Sequence, residues 1–89
     1  MKSVHIIVYG RVQGVFFRAN ARKKAIELGI KGYSKNMEDG TVEVVAQGDE
    51  ESLDKFIDFI KKGPGLAKVD SVKIAQKNQE NFKSFEITR

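Results

Sequence analysis

The sequence predicts an α+β domain of the ferredoxin-like, split β-α-β kind: a mostly antiparallel sheet, two helices on one face, and a short extra C-terminal strand. Three observations predict it. Strand-like alternation and helical spacing follow one another as strand, helix, strand, strand, helix, strand. Asp39-Gly40, a strong hairpin signal, joins the two middle strands. The chain has 89 residues, enough for one compact domain over 1–89 and not for two.

Ser3 to Gly10 reads as a strand in which Val4, Ile6 and Val8 alternate with His5, Ile7 and Tyr9. Both of its faces are fairly apolar, which predicts a central place in the sheet. Gly10 to Phe16 is a loop punctuated by glycine. A helix follows from Phe17 to Leu28, with Phe17, Ala21, Ala25 and Leu28 on one face and Gly29 as its C-terminal cap. The next strand is expected over Ile30 to Met37, and the hairpin returns as a strand from Thr41 to Gln47. The second helix is the clearest element. Asp49 is its expected N-cap, Glu50 and Glu51 place negative charge in its first turn, and Leu53, Phe56, Ile57 and Ile60 form an apolar stripe. Gly63-Pro64-Gly65 stops it. Two closing strands are expected, Val69 to Ala75 and Phe82 to Thr88, the latter with Phe85 and Ile87 turned inward.

Composition narrows the function classes. Hydrophobic residues make up 40% and charged residues 31%, a soluble globular balance. No apolar run is long enough to span a membrane and no export signal follows Met1-Lys2, so the cytoplasm is the expected compartment. The absence of cysteine rules out disulfides, thiolate catalysis and Cys-ligated metals. His5, the sole histidine, sits inside a strand and is expected to be structural. Glu38 and Asp39 read as turn chemistry and not as a metal pair, so neither metal nor cofactor is expected. The net charge of +4 favours anionic partners without naming them.

The informative stretch runs from Gly10 to Arg18. Two glycines bracket a turn that leads from a strand into a helix, where backbone N–H groups lack helical partners. Converging amides and the helix dipole make such a junction an anion site. Arg18 falls in the first helical turn, where a cation opposes the dipole. Arg22, Lys23 and Lys24 follow closely, so this helix is charged against its own stability while the second is charged in its favour. A local rule broken at one place points to function there. A bound anion would offset the cost, gripped by the planar fork of Arg18. The stretch is not a Walker A loop, because Val15-Phe16 stands where Lys-Ser/Thr would be required. Read alone, Gly10 and Gly14 are equally consistent with turn residues and Arg18 with a solvated side chain. Asn36, just before the hairpin, has the two readings of a turn former and of an amide that holds a water in a defined direction.

The segment Gly10-Arg11-Val12-Gln13-Gly14-Val15-Phe16-Phe17-Arg18 resembles the first signature of the acylphosphatase family, G-x-V-Q-G-V-x-F-R. Gly32-Tyr33-Ser34-Lys35-Asn36, leading into Asp39-Gly40-Thr41-Val42-Glu43, resembles the second, and the spacing between them matches. Gly63-Pro64 and Phe85-Glu86-Ile87 fit the same pattern, so the resemblance covers nearly the whole chain. Two positions depart from it: Ser34 stands where the family usually has valine, and Ala19-Asn20 where a threonine or serine often follows the arginine.

The resemblance implies metal-independent hydrolysis of acyl phosphates, with inorganic phosphate as product. Backbone amides from Arg11 through Val12, Gln13, Gly14 and Val15 to Phe16 would bind the phosphoryl oxygens. Arg18 would hold the same group and stabilise charge, and Asn36 would orient the attacking water. A monomer is expected. RNA-recognition modules share the element order but stack bases on aromatics of the central strands. Here Thr41 to Val45 has none and Tyr9 stands nearly alone, so no nucleic-acid partner is expected, nor a membrane. A noncatalytic phosphate or acyl-phosphate binding module is the alternative.

Overall fold

The computed structural model describes residues 1–88; Arg89, the last residue of the expected domain, lies outside them. The elements are β1 (Lys2–Arg11), α1 (Phe17–Leu28), β2 (Lys31–Asn36), β3 (Val42–Gly48), α2 (Glu50–Lys62), β4 (Lys68–Gln76) and β5 (Phe85–Thr88). The strands form one sheet in the order β4-β1-β3-β2-β5. Every neighbouring pair is antiparallel except β2 and β5. The architecture is the expected α+β, ferredoxin-like one.

Alternation decides which side chains meet the helices. Val4, Ile6 and Val8 of β1 lie opposite Ala46, Val44 and Val42 of β3, and all six are buried. Phe17, Ala21 and Ala25 of α1 and Leu53, Phe56 and Ile60 of α2 close over them in one core. Phe85 from β5 completes it, with its ring edge-on to Phe56 at 5.8 Å. The helix ends follow their local signals. Asp49 accepts a hydrogen bond from Ser52 N at 2.8 Å and caps α2. Beyond Gly29, Ile30 N donates back to Ala25 O at 2.8 Å and closes α1. No helix among the described residues is long and apolar enough to cross a membrane.

The expected boundaries agree to a residue, except at β5. Phe82, Lys83 and Ser84 belong to the connection from β4 and not to the strand. Phe82 instead packs edge-on against Tyr33 at 6.2 Å. Gln47 Nε2 donates to Glu80 O at 2.9 Å, and Glu80 N donates to Gln47 Oε1 at 3.0 Å. The connection thus lies against the sheet face away from the helices. Ile87 departs from expectation too. It shares the helix-facing side of β5 with Phe85, yet it is 39% exposed where Phe85 is 1% exposed.

On the outer face, His5 Nε2 and Glu43 Oε2 lie 2.9 Å apart, and the Tyr33 hydroxyl donates to Glu43 Oε1 at 3.2 Å. His5 therefore has the structural role expected of it, joining β1 to β3. Its bond, aided by Tyr33, holds the Glu43 carboxyl below the ordinary value of 4.5, against the opposing effect of burial. A depressed folded value means the stabilisation is complete above the unfolded value and is lost as pH falls through the folded one. Glu43→Gln is therefore expected to flatten the acid limb of the stability curve, the part in which pH falls below the ordinary glutamate value. A urea midpoint as acid-sensitive in the variant as in wild type would contradict this.

Ser34, the position that departs from the family pattern, is fully buried opposite Val44. Its hydroxyl has no hydrogen-bond partner among the described residues. An unpaired buried hydroxyl is destabilising, so Ser34→Ala should raise the unfolding free energy by about 1 kcal/mol, read from denaturant unfolding.

Candidate active site

The β1–α1 loop is shaped by two backbone irregularities. The β1–β4 ladder slips between Tyr9 and Gly10, where the partner passes from Ser71 to Val69. A Cβ on Gly10 would lie 2.1 Å from Lys68 O, so the close approach requires glycine. Arg11 still pairs with Lys68 at the end of β1, and the loop proper begins after it. Val12, 1% exposed, roots the loop in the core. Gly14 turns the chain at φ 74, and Phe16 follows at φ 61 and ψ 22. Phe16 is the one non-glycine at positive φ among the described residues. It occupies the N-cap position of α1 and makes no side-chain cap hydrogen bond. The first-turn amides are thus left without a side-chain acceptor, at the positive end of the helix dipole.

The charges around this junction differ from those of the other helix. α2 carries Glu50 and Glu51 in its first turn and Lys61 and Lys62 in its last. α1 has no acidic residue in its first turn and no basic residue in its last. Arg18 stands in that first turn, part-buried, and no ion pair among the described residues involves it. Its Nη1 donates to Thr88 O at 3.2 Å, which uses one donor of the guanidinium fork and fixes its direction. Arg22 has a different explanation: its Nε donates to Phe85 O at 3.2 Å, tying β5 to α1.

Asn36 ends β2 opposite Val42 and, by alternation, lies on the helix-facing side with Ser34. Two links connect it to the loop. Gln13 Nε2 donates to both Met37 O and Thr41 O at 2.8 Å, clasping the hairpin just beyond Asn36. On the other side, Thr88, which holds Arg18, is paired with Lys35, and its hydroxyl donates to Ser34 O at 3.2 Å. The Asn36 Oδ1 is buried and has no partner among the described residues. Such an oxygen costs about 1–3 kcal/mol unless a ligand or water completes it. Asp39 serves the turn, accepting from Thr41 Oγ1 at 2.6 Å and from Thr41 N at 3.0 Å. These bonds, the hydroxyl's first, hold its carboxyl below the ordinary 3.8. Sequence reasoning missed the clasp by the Gln13 side chain, because the family pattern marks Gln13 only for its backbone amide.

A cleft of about 260 Å³ opens at the junction. It is lined by Val12, Gly14 and Phe16 of the loop, Phe17, Arg18 and Ala19 of α1, and Ile87 of β5. Arg11, Gln13, Val15 and Asn36 do not line it; Asn36 is joined to it through Gln13 and Thr88. A larger cavity of about 400 Å³ lies against Met1 to Val4, at the other end of β1.

The acylphosphatase family model matches residues 4–87, nearly all of the described chain. The chain belongs to the acylphosphatase family. It is 48% identical to the acylphosphatase of Thermus thermophilus over 81 residues, 91% of this chain and 92% of that one. It is 49% identical to the acylphosphatase of Archaeoglobus fulgidus over 87 residues, 98% of each. Its structure is similar to the crystal structure of the acylphosphatase from Bacillus subtilis, with a TM-score of 0.96, 36% identity and 100% of each chain covered. The uncapped junction and Arg18 therefore lie within a whole-chain likeness to acylphosphatases and not in an isolated motif.

Proposed function

We propose that this acylphosphatase hydrolyses the carboxyl–phosphate bond of acyl phosphates, releasing a carboxylate and inorganic phosphate, with Arg18 and Asn36 as its working side chains. The observation that carries the reading is the start of α1. Its first turn is uncapped behind a left-handed Phe16, and it bears a cation that makes no ion pair with the described residues. Amides between Arg11 and Phe16 and the fork of Arg18 would share the phosphoryl oxygens.

The chemistry suits so sparse a set of groups. Phosphoryl transfer is governed by positioning and electrostatic stabilisation more than by covalent help from the protein. Preaimed amides and Arg18 neutralise charge as it spreads over the equatorial oxygens. The water oxygen bonds to phosphorus as the bond to the acyl oxygen breaks, and the electron pair leaves with the carboxylate. A carboxylate leaves without a strong general acid. Asn36 supplies direction to the water, and its unpartnered Oδ1 is the acceptor it has to offer. The proton of the water passes to a non-bridging phosphate oxygen of the substrate, since no described side chain lining the cleft is a general base. Among the described residues no group of three His, Cys, Asp or Glu could hold a metal ion.

Hydrolysis of benzoyl phosphate with EDTA present tests the reading. Rapid turnover supports it. A folded protein that binds phosphate without turning over would be a phosphate-binding module instead.

A further inference from the structure

We propose that Phe16 and Ile87 form the seat of the acyl group, and that this seat selects bulky, uncharged apolar acyl phosphates, aryl or branched alkyl, over small or charged ones. The inference rests on the hydrolase reading above and names the substrate class of that same site.

Three observations converge on it. Among the described residues lining the cleft, Arg18 has the only polar side chain. The cleft therefore suits a ligand with one anionic end and an apolar remainder. Phe16 is 75% exposed in a left-handed conformation that a bulky residue rarely adopts. An aromatic held there gains little from the core, so its value lies in what it meets outside. Ile87 lies beside Ser34 on the helix-facing side of β5, yet α1, which starts at Phe17, leaves it 39% exposed. The other large exposed apolar residues, such as Leu66 and Ile74, lie outside this cleft.

A phosphate held by Arg18 and the first-turn amides leaves the acyl group between Phe16 and Ile87. An aryl group there covers both side chains and removes apolar surface from water. A charged acyl group finds no second cationic side chain among the described lining residues, because the phosphate occupies Arg18, and its desolvation is uncompensated. Acetyl phosphate is too small to cover both walls.

The test compares kcat/KM for benzoyl, acetyl and succinyl phosphate in wild type, Ile87→Ser, Phe16→Asn and Leu66→Ser. Asparagine tolerates the left-handed conformation, so Phe16→Asn keeps the loop. Wild type should favour benzoyl over acetyl phosphate by roughly tenfold or more, and succinyl phosphate should be the poorest. The benzoyl-to-acetyl ratio should fall at least about fivefold in Ile87→Ser and in Phe16→Asn, within the range one hydrophobic wall controls. Leu66→Ser should keep the wild-type ratio. A ratio that stays at the wild-type value in both cleft variants, with inorganic phosphate still inhibiting, overturns the proposal and leaves the hydrolase reading intact. If wild type hydrolyses none of the three, the hydrolase reading fails instead. Thermal protection by benzylphosphonate against methylphosphonate then still decides the seat: stronger protection by the benzyl compound, lost in Ile87→Ser, supports it, and equal protection overturns it.

Discussion

Arg18→Ala should lower kcat/KM for acyl phosphates by at least about 10³-fold, within the range for removing a cation that stabilises a transferring phosphoryl group. It should also abolish phosphate binding while the fold survives. The size of the effect follows from how few groups the site holds. Among the described residues lining the cleft, Arg18 has the only charged side chain, and none of the others can substitute for it. Its guanidinium is aimed by a bond to Thr88 O, and the fork geometry lets it hold two oxygens at once. Arg18→Lys keeps the charge but loses the fork, and should recover only a small part of the rate. The fold should survive because removing a cation from the first turn relieves an unfavourable interaction with the dipole of α1. Arg22 meanwhile still ties the helix to Phe85 O. The check is circular dichroism together with thermal protection by inorganic phosphate. Undiminished protection of the Arg18→Ala protein would mean that the phosphate sits elsewhere.

Asn36→Ala should give a different signature, with kcat lower by about 10²-fold and KM and phosphate inhibition held within about twofold. The asymmetry has a structural basis. Asn36 does not line the cleft that contains Arg18, so the ground-state grip on phosphate does not depend on it. Its main chain stays in the ladder opposite Val42, and Gln13 clasps the hairpin through carbonyls of Met37 and Thr41, not through the Asn36 amide. The Oδ1 makes no bond to the described residues, so removing it breaks nothing. On the proposed mechanism, what is lost is the acceptor that turns a water towards phosphorus. Steady-state kinetics with benzoyl phosphate, plus the phosphate inhibition constant, separates the outcomes. A retained rate would remove the water-orienting role, and parallel losses of kcat and phosphate affinity would move Asn36 into the binding set. The two variants together distinguish a group that binds from one that only directs attack.

Much of this protein was readable from local pattern. The stripe of Leu53, Phe56 and Ile60 and the Asp49 cap specify α2 because both depend on contacts within a few residues. The misplaced charge of Arg18 was legible for the same reason: a helix dipole acts over one turn. Glycines at 10 and 14 and an asparagine before a hairpin marked the candidate site, and likeness to a family lifted them above their ordinary readings as turn residues. Tertiary structure decided how those pieces meet. Gln13 reaches Met37 and Thr41 across 24 and 28 positions, and Arg18 reaches Thr88 across 70. The strand order β4-β1-β3-β2-β5 sets those approaches, and no local periodicity encodes it. The same holds for Phe82, drawn out of β5 by Tyr33, and for Ile87, apolar by sequence and inward by alternation, yet left open because α1 does not extend over it. Side-chain period says which way a residue faces; only the packed arrangement of helix on sheet says whether anything covers it.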